Sequence, residues 1–192
     1  VAAHLTTPKT TTIRRGELVT EVRQEFSDWI SHVVRMRMTH VEVEWTVGPI
    51  PITDNEGKEV VVRYKTNVRN SPPGVFHTDA NARETVRRVR GKRDAPAYPA
   101  KYEAEHEPVA SNFYPVNAFI AVSDGKTEFA VLTDTTQSGS SLEDGRIDMM
   151  VHRRILVDDF RGVEEPLNET MCGCGDINAP PGQMGAHGRL GD

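Results

Sequence analysis

An all-β, antiparallel sandwich is the fold this sequence predicts, on three observations. Short apolar runs alternate with polar residues, most clearly in Val41-Glu-Val-Glu-Trp-Thr-Val47, where one face is apolar and the other largely acidic. Gly, Pro, Asn and Asp turn signals recur at the close spacing of many short strands. Nowhere do apolar residues return at helical spacing over a long window. With only Cys172 and Cys174 the chain is no disulfide scaffold, so aliphatic and aromatic side chains must form the core, and 192 residues suffice for one.

Taken in order, the Thr6-Thr-Pro-Lys-Thr-Thr-Thr-Ile13 run reads as loop, and residues 1–15 as an irregular segment. From Glu17 to Val47, Val, Ile, Met and Trp are dense and often alternate, as in half-buried strands, and Trp29 and Trp45 lie inside strand-like runs that suggest burial. Residues 48–57 carry two prolines and two glycines, which break a ladder and mark a loop or edge crossing. Glu59 to Thr66 reads as the next strand, and Asn70-Ser-Pro-Pro-Gly74 as a turn. Glu84 to Arg90 forms a further strand, followed by a proline-bearing loop over Gly91 to Pro99. Phe113 to Val122, Glu128 to Thr133 and Arg146 to Val151 complete the set, with a hairpin turn at Ser123-Asp-Gly-Lys126. The sandwich domain is thus expected over 16–165. Residues 166–192 turn Gly- and Pro-rich with few large apolar groups, and are expected to form a flexible tail or an insertion.

Lys+Arg 23 against Asp+Glu 28 leaves a net charge of -5, the wrong sign for a nucleic-acid binder. No apolar stretch approaches the ~20 residues of a membrane span, and the first residues lack the blocks of a signal peptide, so a secreted or lysosomal parent would carry its signal upstream. Asn168-Glu-Thr170 is an acceptor sequon for N-linked sugar. The spacing of Cys172-Gly-Cys174 suits neither a structural zinc cage nor an unstrained bridge between the two, so a disulfide from one of them to a cysteine outside this chain is expected.

The ordered series Gln24-Glu-Phe-Ser-Asp-Trp-Ile30, Val41 to Pro51, Gly57-Lys-Glu-Val-Val-Val-Arg63, Phe76-His-Thr-Asp-Ala-Asn81, Glu107-Pro-Val-Ala-Ser-Asn-Phe-Tyr-Pro-Val-Asn117, Asp124-Gly125, His152-Arg-Arg154 and Asp158-Asp-Phe-Arg-Gly162 resembles the C-terminal β-region of family 38 α-mannosidases, closest to their lysosomal and vacuolar branch. The resemblance runs from about Gly16 to about Glu169. It implies a portion of a galactose-mutarotase-like supersandwich. It further implies a fragment or processed chain of a zinc-dependent retaining exo-α-mannosidase that removes terminal α-linked mannose from N-glycans in a lysosome or vacuole, or after secretion. The expected partners are the N-terminal catalytic domain, the remaining C-terminal region and mannose-containing glycans. Zinc and nucleophile would belong to residues outside this chain, so no catalytic or metal-binding residue is expected within it.

Within the chain, the resemblance implies an Arg beside the bound sugar, matched by Arg154, with His152 near it. An Arg offers a fixed fork of donors for vicinal hydroxyls or for bracing a carboxylate. The plainer expectation is that Arg153 and Arg154 pair with Asp158 and Asp159, which as sequence neighbours on a strand face opposite ways and cannot form a glycosidase pair. The sequence departs from the family at Thr135, Ser138 and Ala82, where relatives usually show Arg, Gly and Gly. The last of these removes a residue tolerant of positive φ. A stand-alone carbohydrate-binding or interaction sandwich is the alternative class.

Overall fold

The computed structural model describes residues 7–92, 107–158 and 166 of the chain. Its regular structure is almost wholly β, in three antiparallel sheets, as expected. The chain divides into two compact units, Val1–Val60 with His152–Asp192, and Val61–Val151.

In the first unit, β1 (Thr10–Arg15), β2 (Thr20–Ser27), β3 (Ile30–Met36) and β4 (Val41–Val47) pair in chain order. The period of two sorts their side chains. One row across the sheet is Ile13, Val22, Val34 and Val43, and the next on that face is Thr11, Gln24, His32 and Trp45. On the opposite face Arg14, Glu21, Arg35 and Glu42 form a row of alternating charge, and Arg35 bonds Glu21 at 3.1 Å and Glu44 at 2.7 Å. The Thr-rich run read as loop therefore becomes an edge strand from Thr10 onward, because threonine suits a pleated, solvated edge once a partner strand satisfies its backbone. Trp29, expected inside a strand, stands instead in the turn between β2 and β3 and is half-buried. Trp45 lies in β4, half-buried, 4.5 Å from the ring of His32.

The second unit holds two sheets. One is ordered β10-β9-β6-β7, from Glu128–Leu132, Phe119–Ser123, Val75–Ala80 and Glu84–Val89. The other is ordered β5-β12-β11-β8, from Lys58–Lys65, Arg146–Arg154, Gln137–Ser140 and Tyr114–Val116. The unit limits fall inside β5 and β12. Phe76, Ile120 and Val122 from the first sheet meet Tyr114, Val116, Ile147 and Met149 from the second in one buried cluster. Gly139 sits where a Cβ would come within 2.8 Å of Met149 Sδ and 3.0 Å of Val116 Cγ2, so the polar strand β11 can pass close to this core. That strand and β6 carry no clear alternation, which is why the sequence does not announce them.

The single strand expected over Phe113 to Val122 is two, β8 and β9, in different sheets. The corner between them is held by Asp79, whose Oδ1 accepts the N–H groups of Asn117 (2.9 Å), Ala118 (2.9 Å) and Phe119 (3.1 Å). Its Oδ2 accepts the Ala82 N–H at 2.7 Å, in the turn joining β6 to β7. Burial alone would raise this carboxyl, but the four donors overcome it and hold Asp79 far below the ordinary carboxylate range. The turn places Asn81 in the left-handed basin at φ 52, with Ala82 beside it at φ 56. The hairpin turn at Ser123 to Lys126 forms as expected, with Asp124 Oδ1 accepting the Lys126 and Thr127 N–H groups and Gly125 at φ 85.

Candidate functional site at the end of β12

A proline- and glycine-bearing loop holds the end of β12 in place, and each anchor traces to residue chemistry. Gly48, at φ 123, turns the chain out of β4, and its N–H donates to the Trp29 carbonyl at 2.8 Å. Pro49 and Pro51 lack backbone donors, so the segment cannot continue the ladder. Between them Ile50 is buried, only 1% exposed. The Ile50 carbonyl accepts a hydrogen bond from Arg154 Nη1 at 3.1 Å. At the far side Lys58 Nζ donates to the Pro51 carbonyl at 2.8 Å and to both oxygens of Asp54 at 2.7 and 2.6 Å. The hydrogen bond from Lys58 is the main cause that lowers the Asp54 carboxyl. Gly57 then lets two stretches of backbone meet, since a Cβ there would lie 3.1 Å from Ile155 Cα and 3.3 Å from Leu156 N.

Arg154 is thus half-buried and tied to Ile50, whereas Arg153 is exposed and makes a loose ion pair with Glu59 at 3.8 Å. The two neighbours point to different surroundings. Among the described residues the partner of Arg153 is Glu59, while the expected pairing with Asp159 lies outside them. Asp158 keeps one buried oxygen, Oδ2, without a partner among the described residues, and Asp159 lies outside them. His152 is half-buried, and burial pushes its imidazole below the ordinary value, favouring the neutral ring. Asn168, Cys172 and Cys174 also lie outside the described residues.

Among the described residues the two fully buried carboxylates are committed elsewhere. Asp79 is saturated by four backbone donors, as above, and Asp148 accepts from Arg63 Nε at 2.9 Å and from Arg146 Nε at 2.9 Å. A carboxylate held this way serves the fold and is a poor proton donor. Among the described residues no group of three His, Cys, Asp or Glu side chains is placed to hold a metal ion. The sequence reading missed the part played by Ile50 and Gly57. The two glycines that bound residues 48–57 were the available signal, but only the return of residues 154–156 to this loop gives it meaning.

The family profile described as "Glycosyl hydrolases family 38 C-terminal domain" matches residues 2–161. The chain is 50% identical over 157 residues to the lysosomal alpha-mannosidase of Bos taurus, covering 81% of this chain and 15% of that protein. It is 49% identical over 158 residues to the lysosomal alpha-mannosidase of Homo sapiens, again covering 81% and 15%. With an alpha-mannosidase of Canavalia ensiformis it shares 43% identity over 164 residues, 84% of this chain and 16% of that protein.

Proposed function

Because the chain belongs to glycosyl hydrolase family 38, as a stretch of that family's C-terminal domain, we propose that it is the β-region of an exo-α-mannosidase that removes terminal α-linked mannose from N-glycans in a lysosome or vacuole. The observation that carries this reading is the 50% identity to a lysosomal alpha-mannosidase over 81% of the chain. In this reading the reaction is retaining and zinc-dependent, and the metal and the nucleophile are supplied by residues outside the chain. The zinc would supply Lewis-acid chemistry at the reacting sugar.

The part of this chain is to position. Arg154, its guanidinium steadied by the Ile50 carbonyl at 3.1 Å, presents donors to a sugar hydroxyl or braces a carboxylate of the catalytic domain. His152 stands two residues before it, half-buried, with burial holding its imidazole below the ordinary value. The buried carboxylates Asp79 and Asp148 stay with the fold, and the pair of carboxyl groups that a retaining glycosidase requires comes from the catalytic domain.

Hydrolysis of an aryl α-mannoside by the complete protein tests the reading. Turnover that chelation abolishes and zinc restores is the expected result, together with no turnover by residues 1–192 alone. A complete protein that binds mannosides without cleaving them would overturn it and favour the carbohydrate-binding module.

A further inference from the structure

We propose that the hollow beside the β2–β3 turn, whose lining does not include Arg154, is a second carbohydrate site, taking one neutral pyranose ring. The turn is only two residues long, Asp28 and Trp29, and a register shift between Glu25 and Ser27 bends β2 just before it. Trp29 is consequently left half-buried at the tip of the hairpin rather than in a core. Its backbone is fixed on both sides, since its carbonyl accepts the Gly48 N–H at 2.8 Å and its own N–H reaches Ser27 Oγ at 3.4 Å. Beside it opens a hollow of about 390 Å³, within the size range of small-molecule sites.

The other side chains lining this hollow set the class of ligand. Lys9, Arg23, Glu25 and Asp28 contribute two positive and two negative charges, which cancel. Such a set gives an anion such as phosphate no net attraction, but it alternates donors and acceptors, as a ring of hydroxyl groups requires. The groups also hold one another. Lys9 Nζ lies 2.9 Å from Asp28 Oδ1, Thr10 Oγ1 donates to Glu25 Oε2 at 3.0 Å, and Arg23 Nε lies 3.5 Å from Glu25 Oε1. An indole supplies a rigid apolar surface with a polar edge, which matches a pyranose with its apolar C–H face and polar rim. Because the hollow is open, binding is expected to be weak, in the millimolar range.

The test uses the complete protein and does not depend on whether it cleaves mannosides. Saturation-transfer NMR is recorded with methyl α-mannoside, methyl β-glucoside and methyl β-N-acetylglucosaminide, each with and without a saturating mannose-mimicking iminosugar that occupies a mannosidase centre. At least one glycoside should keep its signal in the presence of the iminosugar. Trp29→Ala should lower the affinity of that signal about tenfold, the loss expected for an aromatic platform. Thr46→Arg, at an exposed position on the rim, should fill the hollow and remove the signal even if Trp29→Ala fails to fold. A wild-type protein with no iminosugar-resistant signal, a signal unchanged in Thr46→Arg, or one displaced by millimolar inorganic phosphate would each overturn the proposal.

Discussion

The two sheets of the Val61–Val151 unit and the single β1–β4 sheet use the same strand grammar to opposite ends. In the former, Phe76, Val116, Ile120, Val122 and Ile147 are all at 0% exposure, and the buried carboxylates are paired, Asp79 with the backbone of a corner and Asp148 with Arg63 and Arg146. In the β1–β4 sheet only Ile30 reaches the buried class among the strand residues, while Ile13, Met36 and Val41 are 54%, 48% and 58% exposed. One face there is a ladder of ion pairs and the other a half-buried apolar row. Burial per residue is what converts apolar area into stability. The sandwich is therefore the rigid part, and the β1–β4 sheet with the loop after it keeps its side chains at surfaces where they can meet something else.

Asp79→Ala should produce the largest effect. It leaves four backbone donors without their acceptor, and chemical denaturation should show a loss of about 3–5 kcal/mol. The pH dependence has a defined sign: the folded carboxyl is depressed, so its stabilisation is complete above the unfolded value of about 3.9 and is lost only as pH falls below it. An unchanged midpoint in the variant would remove the main distinction between the two regions.

The next effect concerns turnover in the complete protein. Arg154→Ala should lower kcat/KM about ten- to a hundredfold, the equivalent of about 1.5–3 kcal/mol for a donor to a charged partner, while Arg153→Ala leaves it unchanged. Kinetics of both variants at matched stability decide it. If the Arg153 variant alone loses activity, the two side chains have their roles reversed, and if neither does, both arginines serve only the loop.

Ala82→Gly should go the other way and stabilise. A left-handed alanine costs about 1–2 kcal/mol, and glycine returns part of that relief as lost chain entropy, about 0.4–1 kcal/mol. Since Ala82 sits at φ 56, a net gain of about 0.5–1 kcal/mol in thermal or chemical unfolding is expected. A destabilised glycine variant would show that the turn does not store this strain. Smallest of all, Arg35→Ala should cost less than about 1 kcal/mol, although Arg35 touches both Glu21 and Glu44, because partly exposed pairs trade their attraction against water. A loss as large as that at Asp79 would mean that the charged ladder, too, is a structural core.

The sequence by itself determined the class of fold, most of the strands and the family. Period-two alternation in β4, turn residues at Asp124-Gly125 and the ladder-breaking Pro49 and Pro51 are local facts, and local chemistry suffices to read them. The family resemblance also marked Ala82 as standing where relatives carry a glycine tolerant of positive φ, and the structure places it at φ 56. Only the tertiary structure decided where β8 ends and β9 begins, because the donors that Asp79 gathers are 38 to 40 residues away along the chain. The same holds for β11, a polar strand that exists because Gly139 fits against Met149, for the tie between Arg154 and Ile50 across 104 residues, and for Trp29, which a two-residue turn places beside a hollow. Pattern reports which face a side chain prefers, whereas partners distant in sequence depend on how the closed chain brings its backbones together.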